Sequence, residues 1–462
     1  LPRFFAILRL HILETMPYWY LHHISMEARS MSNGKSDRIV ALAGGTSGET
    51  MRAKRHRGAV CGQNRRALLA GAVVGGASLV AASLPTSAAV LAWDPGQTPG
   101  GTTASPTGSG GNGTWAPDEA VNHWSIGTAD ASWGSGTQSS NTAIFGGTAG
   151  TVSVFKSTGG LGLQPAGITF ATSGYVLAAG NGVISPPAPT GSQTSASVTL
   201  FIDSGNSGFT SEIDAPLIST STVTLGTTEI GGSGKIIFGG TQDNNQTRAI
   251  VDNGATLVLN KTGSNVNLHA LGVTAGSHQP ALTVNSGGTA ILSGTSGDQI
   301  RDRANIAING TLNMNGQSEA TGLASFDNST LDFTLGSTLG ANDLLSISNG
   351  GASQFTTNFG AATVSGSNTI NISARNGVTS LTPGDYTLIG ALSGLGTSSW
   401  SLGASSLMVG ANNYDLSLSH STAGAEVLTV SPVSVPEPAS LGLLGLAALG
   451  LLRRRRSAAE VE

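Results

Sequence analysis

Along most of the chain, apolar residues alternate with small or hydroxylated ones in short runs, and a turn signal precedes each run. The clearest are Asn253-Gly-Ala-Thr-Leu-Val-Leu259, Ser286-Gly-Gly-Thr-Ala-Ile-Leu292, Asn309-Gly-Thr-Leu-Asn-Met314 and Asn328-Ser-Thr-Leu-Asp-Phe333. Asn and Gly suit the turn because they tolerate positive φ, and the period of two gives each strand one face that buries. The threonines Thr256, Thr289, Thr311 and Thr330 recur after 33, 22 and 19 residues. One such unit cannot form a core alone, whereas stacked units bury a continuous apolar column and pair their backbones with neighbouring rungs. The pattern predicts an all-β chain built as a right-handed parallel β-helix, or solenoid.

Further strands are predicted at Thr151 to Phe155, Ser197 to Ile202, Thr222 to Leu225, Lys235 to Phe238, Tyr386 to Ile389, Tyr414 to Leu418 and Val427 to Val430. Their uneven spacing implies loops of varied length. The segment from Ser185 to Ala196 is the most evident, because Pro186, Pro187 and Pro189 forbid ladder pairing. A β-sandwich is the rival all-β architecture. Rung-like repeats with few aromatics favour the solenoid.

The periodicity changes at both ends. After Pro436, Glu437 and Pro438, which fix the backbone and stop any helix running in, Ala439 to Leu452 contains only apolar and small residues and Ser440. Arg453, Arg454, Arg455 and Arg456 follow directly. As a helix, 439–452 rises about 21 Å against roughly 30 Å of bilayer hydrocarbon, short for a permanent span. Near the other end, basic residues follow Met51, Ala67 to Leu84 is apolar, and Ser87, Ala88 and Ala89 are small. This is the layout of an export signal cleaved after Ala89 or Ala92. The expected organisation is therefore an extension of no structural pattern at 1–50, a signal peptide at 51–92, a β-helical domain at 93–432, a sorting tail at 433–456 and a terminal stub at 457–462.

Charge sharpens this division. Between Trp93 and Pro432 there are seven basic and nineteen acidic residues, a net of −12, although the whole chain is only −4. An acidic body argues against nucleic acid or an anionic membrane as its partner. The only cysteine, Cys61, precedes the apolar run of the signal, so disulfides and thiolate chemistry are excluded from the exported body.

Candidate chemistry is sparse. Trp93, Trp115, Trp124 and Trp133 cluster near the start of the body, either as a glycan-stacking platform or as a cap on the first coil. Asp298, Arg301, Asp302 and Arg303 are the one dense charge group, and an active site would be sought there. Asp243-Asn-Asn245 and Asp252-Asn253 read as turns, and His123, His269, His278 and His420 lack zinc-helix spacing. The sequence has no G-x-S-x-G elbow, phosphate loop or dinucleotide fingerprint, so no enzymatic activity, cofactor or metal is expected. Thr220 to Thr228 raises an ice-binding alternative, which requires threonines aligned across successive rungs. A polysaccharide-degrading enzyme is the other alternative, requiring convergent carboxylates.

At Val435, Pro436, Glu437 and Pro438, the hydrophobic stretch and the four arginines, the chain resembles the PEP-CTERM sorting signal of Gram-negative bacteria. The resemblance implies export, transient anchoring in the inner membrane, cleavage by an exosortase-type protease, and association with the cell surface and extracellular polysaccharide. The body resembles autotransporter-associated β-strand repeat proteins. The residues that carry this include Trp93-Asp-Pro-Gly, Gly113-Thr-Trp115, Ala143-Ile-Phe-Gly-Gly147, Gly150-Thr-Val-Ser-Val154 and Pro383-Gly-Asp-Tyr-Thr-Leu-Ile389. That likeness also implies a β-helix.

Overall fold

The computed structural model describes residues 89–433 apart from a set of loop segments, the longest being 97–107, 188–198 and 349–359, together with 445–451 and 453. Residues 51–88 of the expected signal peptide and the first fifty residues lie outside the described residues, as do the strand expected at Thr222 to Leu225, His278 and Arg303, whereas the last three residues of that expected segment belong to the first strand, Val90–Trp93.

Each coil contributes one short strand to a first sheet, turns a tight corner, and contributes the next to a second sheet. Among the described residues the first sheet has 12 strands and the second 11, and nearly all their pairings are parallel. Two-residue periodicity sends alternate side chains inward, where the coils stack them in register. Ala143, Ile168, Ile202, Ile230, Val251, Val284, Ile308 and Phe326 form one buried column of the first sheet. Ile236, Leu257, Ala290, Leu312, Leu331 and Ile370 form its counterpart in the second. The expected β-helix is the architecture observed.

The four turn-and-strand units occupy the second sheet, as Thr256–Leu259, Thr289–Leu292, Thr311–Asn313 and Thr330–Leu335. Their corners carry left-handed backbone: φ is 85° at Gly254, 79° at Gly287 and 53° at Asn328. Only Gly, or Asn at a small cost, takes that conformation routinely.

The third face is built differently along its length. At first it has, among the described residues, isolated parallel bridges, Leu163 to Ile184 to Leu217 and later Leu271 to Ile300. It becomes a sheet at Ser318–Thr321, Leu344–Ile347 and Gly384–Ala391. Where strands are missing, buried polar side chains replace the backbone ladder. Asn244 Oδ1 accepts the Leu217 N–H while its Nδ2 donates to the Ala270 carbonyl. Gln299 does the same for both backbone groups of Lys261, and Glu319 accepts the N–H groups of Gln299 and Ile300. An unsatisfied buried backbone group is costly, so these side chains fix where the coils can turn.

Both ends of the stack are closed by antiparallel pieces. The hairpin of Trp124–Ile126 and Ala129–Ala131 pairs with Val90–Trp93. At the other end Ser406–Val409, Asn412–Ser421 and Ala425–Pro432 form a meander on Gly384–Ala391. These pieces cover parallel edges that would otherwise template further strands.

Candidate functional site

The four tryptophans converge inside the first coil and are buried. Trp115 lies 4.9 Å from Trp133 and 5.3 Å from Trp124 between ring centroids, and Phe145 packs against Trp93, Trp115 and Trp124. The aromatic contacts continue from Phe145, which stacks on Phe170 at an interplanar angle of 24° and meets Tyr175 at a tilt of 56°. Trp93 Nε1 donates to the Gly111 carbonyl at 3.0 Å. The indole faces are spent on each other, so none is presented outward for a sugar ring to stack on.

The charge group at Asp298 is part of a larger constellation on the third face. His269 lies between two acids from neighbouring coils: its Nε2 is 3.0 Å from Asp298 Oδ2, and its Nδ1 is 3.3 Å from Asp243 Oδ1. Asp243 also accepts the His269 backbone N–H at 2.9 Å. Burial works against the imidazolium, but the hydrogen bonds to Asp243 and Asp298 and their charges outweigh it, raising its pKa to about 9. Asp243 is held below its ordinary value in spite of burial, through His269 and Arg301.

Glu319, buried beside this group, shows the opposite behaviour. Burial pushes its carboxyl well up, the charge of Asp298 adds to this, and the two backbone N–H groups it accepts only partly compensate. Asp298, Asp302, Ser318, Glu319 and Leu344 line a cavity of about 160 Å³. Chemically, burial and the charge of Asp298 favour the neutral carboxyl of Glu319, whereas Asp243 and Asp298 favour the imidazolium of His269. With both ring nitrogens engaged, His269 is a cross-coil pin, not a free general base. Among the described residues no cluster of His, Cys, Asp or Glu has the geometry of a metal site.

The sequence groups Asp298, Arg301, Asp302 and Arg303, but it reads Asp243 as a turn residue and His269 as isolated, and it does not signal Glu319. His269 is 26 residues from Asp243 and 29 from Asp298, which is about one coil in this region. Only the coil length, known in advance, would have grouped them.

The second sheet presents a regular outer surface. Thr256, Thr289, Thr311, Thr330 and Thr369 stand directly opposite one another in successive strands, preceded by Lys235 and followed by Ser401. The alignment that the sequence spacing left open is therefore present. Two residues on in each strand, Ile237, Val258, Ile291, Asn313, Asp332 and Asn371 form a second column, of which Val258 is buried, Asn371 is exposed and the others are half-buried. Asn371 Nδ2 donates to Asp332 Oδ1 at 2.9 Å.

In the tail, residues 445–451 are helical, with Leu446, Leu449 and Leu451 exposed. The Val435 to Pro438 box and Arg454 to Arg456 lie outside the described residues. No helix among the described residues is long and apolar enough to cross a membrane. Residues 434–456 match the PEP-CTERM protein-sorting motif. The motif marks an exported protein, sorted to the cell surface of a Gram-negative bacterium and processed by an exosortase-type protease. No curated protein matches the chain.

Proposed function

We propose that this protein is a non-enzymatic surface rod that associates with extracellular polysaccharide after its tail has anchored it transiently in the inner membrane and been cleaved. The likeness of the body to autotransporter-associated β-strand repeats supports a structural or adhesive role. So does the direct junction of rod and signal: the last strand ends at Pro432 and the sorting motif begins at 434. The tryptophans serve as the cap of the rod, a reading supported by their burial and mutual packing.

The observation that carries the polysaccharide reading is the outer face of the second sheet. Its threonines repeat at the coil spacing of about 4.8 Å beside a column that ends in Asn and Asp. A glycan also offers hydroxyls at a fixed repeat, so many weak hydrogen bonds can form in register and sum by multivalency. Replacing Thr256, Thr289, Thr311 and Thr330 by Val is expected to lower retention on the native exopolysaccharide at least about tenfold with little change in melting. Equal retention would overturn it.

A second reading rests on the same alignment. Threonines held at one spacing across several rungs meet the requirement stated for ice binding. Arrest of ice-crystal growth by the wild type but not by the Val variant, without polysaccharide retention, would replace the first reading with this one.

A further inference from the structure

Six Asn-Gly pairs fall among the described residues, beginning at Asn112, Asn181, Asn253, Asn309, Asn315 and Asn376. In such a pair the glycine nitrogen and the asparagine Cγ are separated only by the atoms of one five-membered ring, and glycine brings no Cβ to obstruct its closure. Closure then depends on whether the fold leaves the two groups free to turn toward each other. Five of the pairs are held. Gly113 opens the strand Gly113–Trp115, and Asn112 Oδ1 accepts the Thr151 N–H at 2.7 Å. Gly182 N–H donates to the Val154 carbonyl, while Asn181 Oδ1 accepts the Lys156 N–H. Gly254 N–H donates to the Gly287 carbonyl on the next coil. Gly310 is buried, and a Cβ there would run into the Asn285 carbonyl. Gly316 N–H donates to Asp343 Oδ2, and Asn315 Nδ2 to the Leu292 carbonyl.

Asn376 and Gly377 differ on each count. They form the tip of the turn that follows the strand Asn368–Ala374, closed by the Val378 N–H donating to the Arg375 carbonyl at 3.0 Å. With φ of 81° at Gly377, the turn is of type II. Both residues are exposed, and nothing lies within 4 Å of the position that a Cβ on Gly377 would take. Among the described residues, neither the Gly377 N–H nor the Asn376 amide is tied by a hydrogen bond. An exposed turn tip of this kind opens locally at little cost, whereas the other five pairs open only with the coils around them.

We propose that Asn376 is a site of spontaneous deamidation through a succinimide formed with Gly377. The Gly377 nitrogen gives its proton to hydroxide and attacks Cγ of Asn376. A C–N bond forms, the bond from Cγ to the side-chain nitrogen breaks, and that nitrogen leaves as ammonia after taking a proton from water. Water then adds to one of the two ring carbonyls, its C–N bond breaks, and the new carboxyl ionises. Opening at Cγ gives aspartate in an ordinary main chain, and opening at the Asn376 carbonyl carbon gives isoaspartate, in which the main chain runs through the side chain. Solvent water is the only co-reactant, and nothing is oxidised or reduced. Either product places a carboxylate next in sequence to Arg375, whose guanidinium already donates to Asp343 Oδ1 at 2.9 Å and to the Gly316 carbonyl at 3.3 Å. The isoaspartyl form also lengthens the turn by one main-chain atom. The acidic body therefore gains charge at one defined corner as the molecule ages. The inference does not depend on the polysaccharide reading.

The test is a time course of the purified full chain at mildly alkaline pH, followed by digestion at acidic pH and peptide mapping with fragment sequencing by mass spectrometry. The Asn376 site is expected to give two products of equal mass, the aspartyl and isoaspartyl forms, heavier than the parent by the exchange of an amino group for a hydroxyl. Conversion should run at least about tenfold faster than at Asn112, Asn181, Asn253, Asn309 or Asn315. In denaturant, where the fold holds none of them, the six sites should react at similar rates. Asn376→Gln, which cannot close a five-membered ring, should stop the conversion, with circular dichroism establishing that the variant is folded. An amide retained at Asn376 in the folded wild type, or faster loss at any of the other five, would overturn the proposal independently of any variant. The same preference for Asn376 in denaturant would assign it to local sequence and overturn the argument from the fold, and conversion at an unchanged rate in Asn376→Gln would overturn the succinimide route.

Discussion

The indole of Trp93 meets that of Trp124 edge-on, with ring centroids 5.0 Å apart and planes at 71°. One ring belongs to the first strand of the stack and the other to the hairpin that closes it. Trp124→Ala would uncouple the two and leave a cavity among Trp115, Trp133 and Phe145. A loss of about 3 to 5 kcal/mol is expected, read from the denaturant midpoint. Unchanged stability combined with lost polysaccharide retention would show that the ring is a sugar contact after all.

A pH dependence follows from His269. Its folded pKa of about 9 lies above the ordinary 6.5, so its contribution is fully present below the lower value and is lost as pH rises through the upper one. Melting temperature should fall between about pH 7 and pH 10 in the wild type, and this fall should be shallower in His269→Gln. Parallel profiles would mean that Asp243 and Asp298 do not hold the imidazolium.

Gly394 tests the closeness of the last coils. Its φ is 94°, and an added Cβ would run into the carbonyl of Ala362 on the adjacent coil. Gly394→Ala therefore combines backbone strain with a clash against main chain, and a cost of at least about 2 kcal/mol is expected in thermal unfolding. A neutral substitution there would mean that these coils slide apart easily.

Processing should trim the chain to the edges of the fold. Cleavage after Ala92 would remove Val90, Leu91 and Ala92, which pair with Thr142, Ala143 and Ile144, and Leu91 is buried. Cleavage after Ala89 leaves that strand whole. N-terminal sequencing of surface material is expected to begin at Val90, and mass spectrometry to find a C-terminus near Pro436 to Pro438. A major species starting at Trp93 would contradict the first expectation, and one ending at Glu462 the second. Replacing Arg453 to Arg456 by Ser should weaken processing, as the basic stop is lost.

The second sheet was legible because its strands follow Asn-Gly-type corners and alternate Leu or Ile with Thr over several residues. Their partners in the first sheet were harder to see: Leu282–Val284 and Ile306–Ile308 have three residues each, too few to display a period. The threonine alignment was hidden by loops of unequal length, which leave the coil without disturbing register. Lys261 was hidden for a different reason. A lone lysine after a strand ordinarily faces water, and nothing local signals that its amine turns to the Gly239 carbonyl of the preceding coil and is buried there.

The strand Ala425–Pro432 lies between Gly384–Ala391 and Asn412–Ser421, antiparallel to both, and the sorting tail leaves from its end. Antiparallel hydrogen bonds run perpendicular to the strand. A pull on the tail is therefore resisted by both rows of bonds acting together in shear, instead of being peeled open one bond at a time. If the tail tethers the protein as proposed, drag on the body would fall on a strand paired along both edges. Under the proposed anchoring, attachment would end by chemistry in the sorting motif and not by mechanical unravelling of this strand.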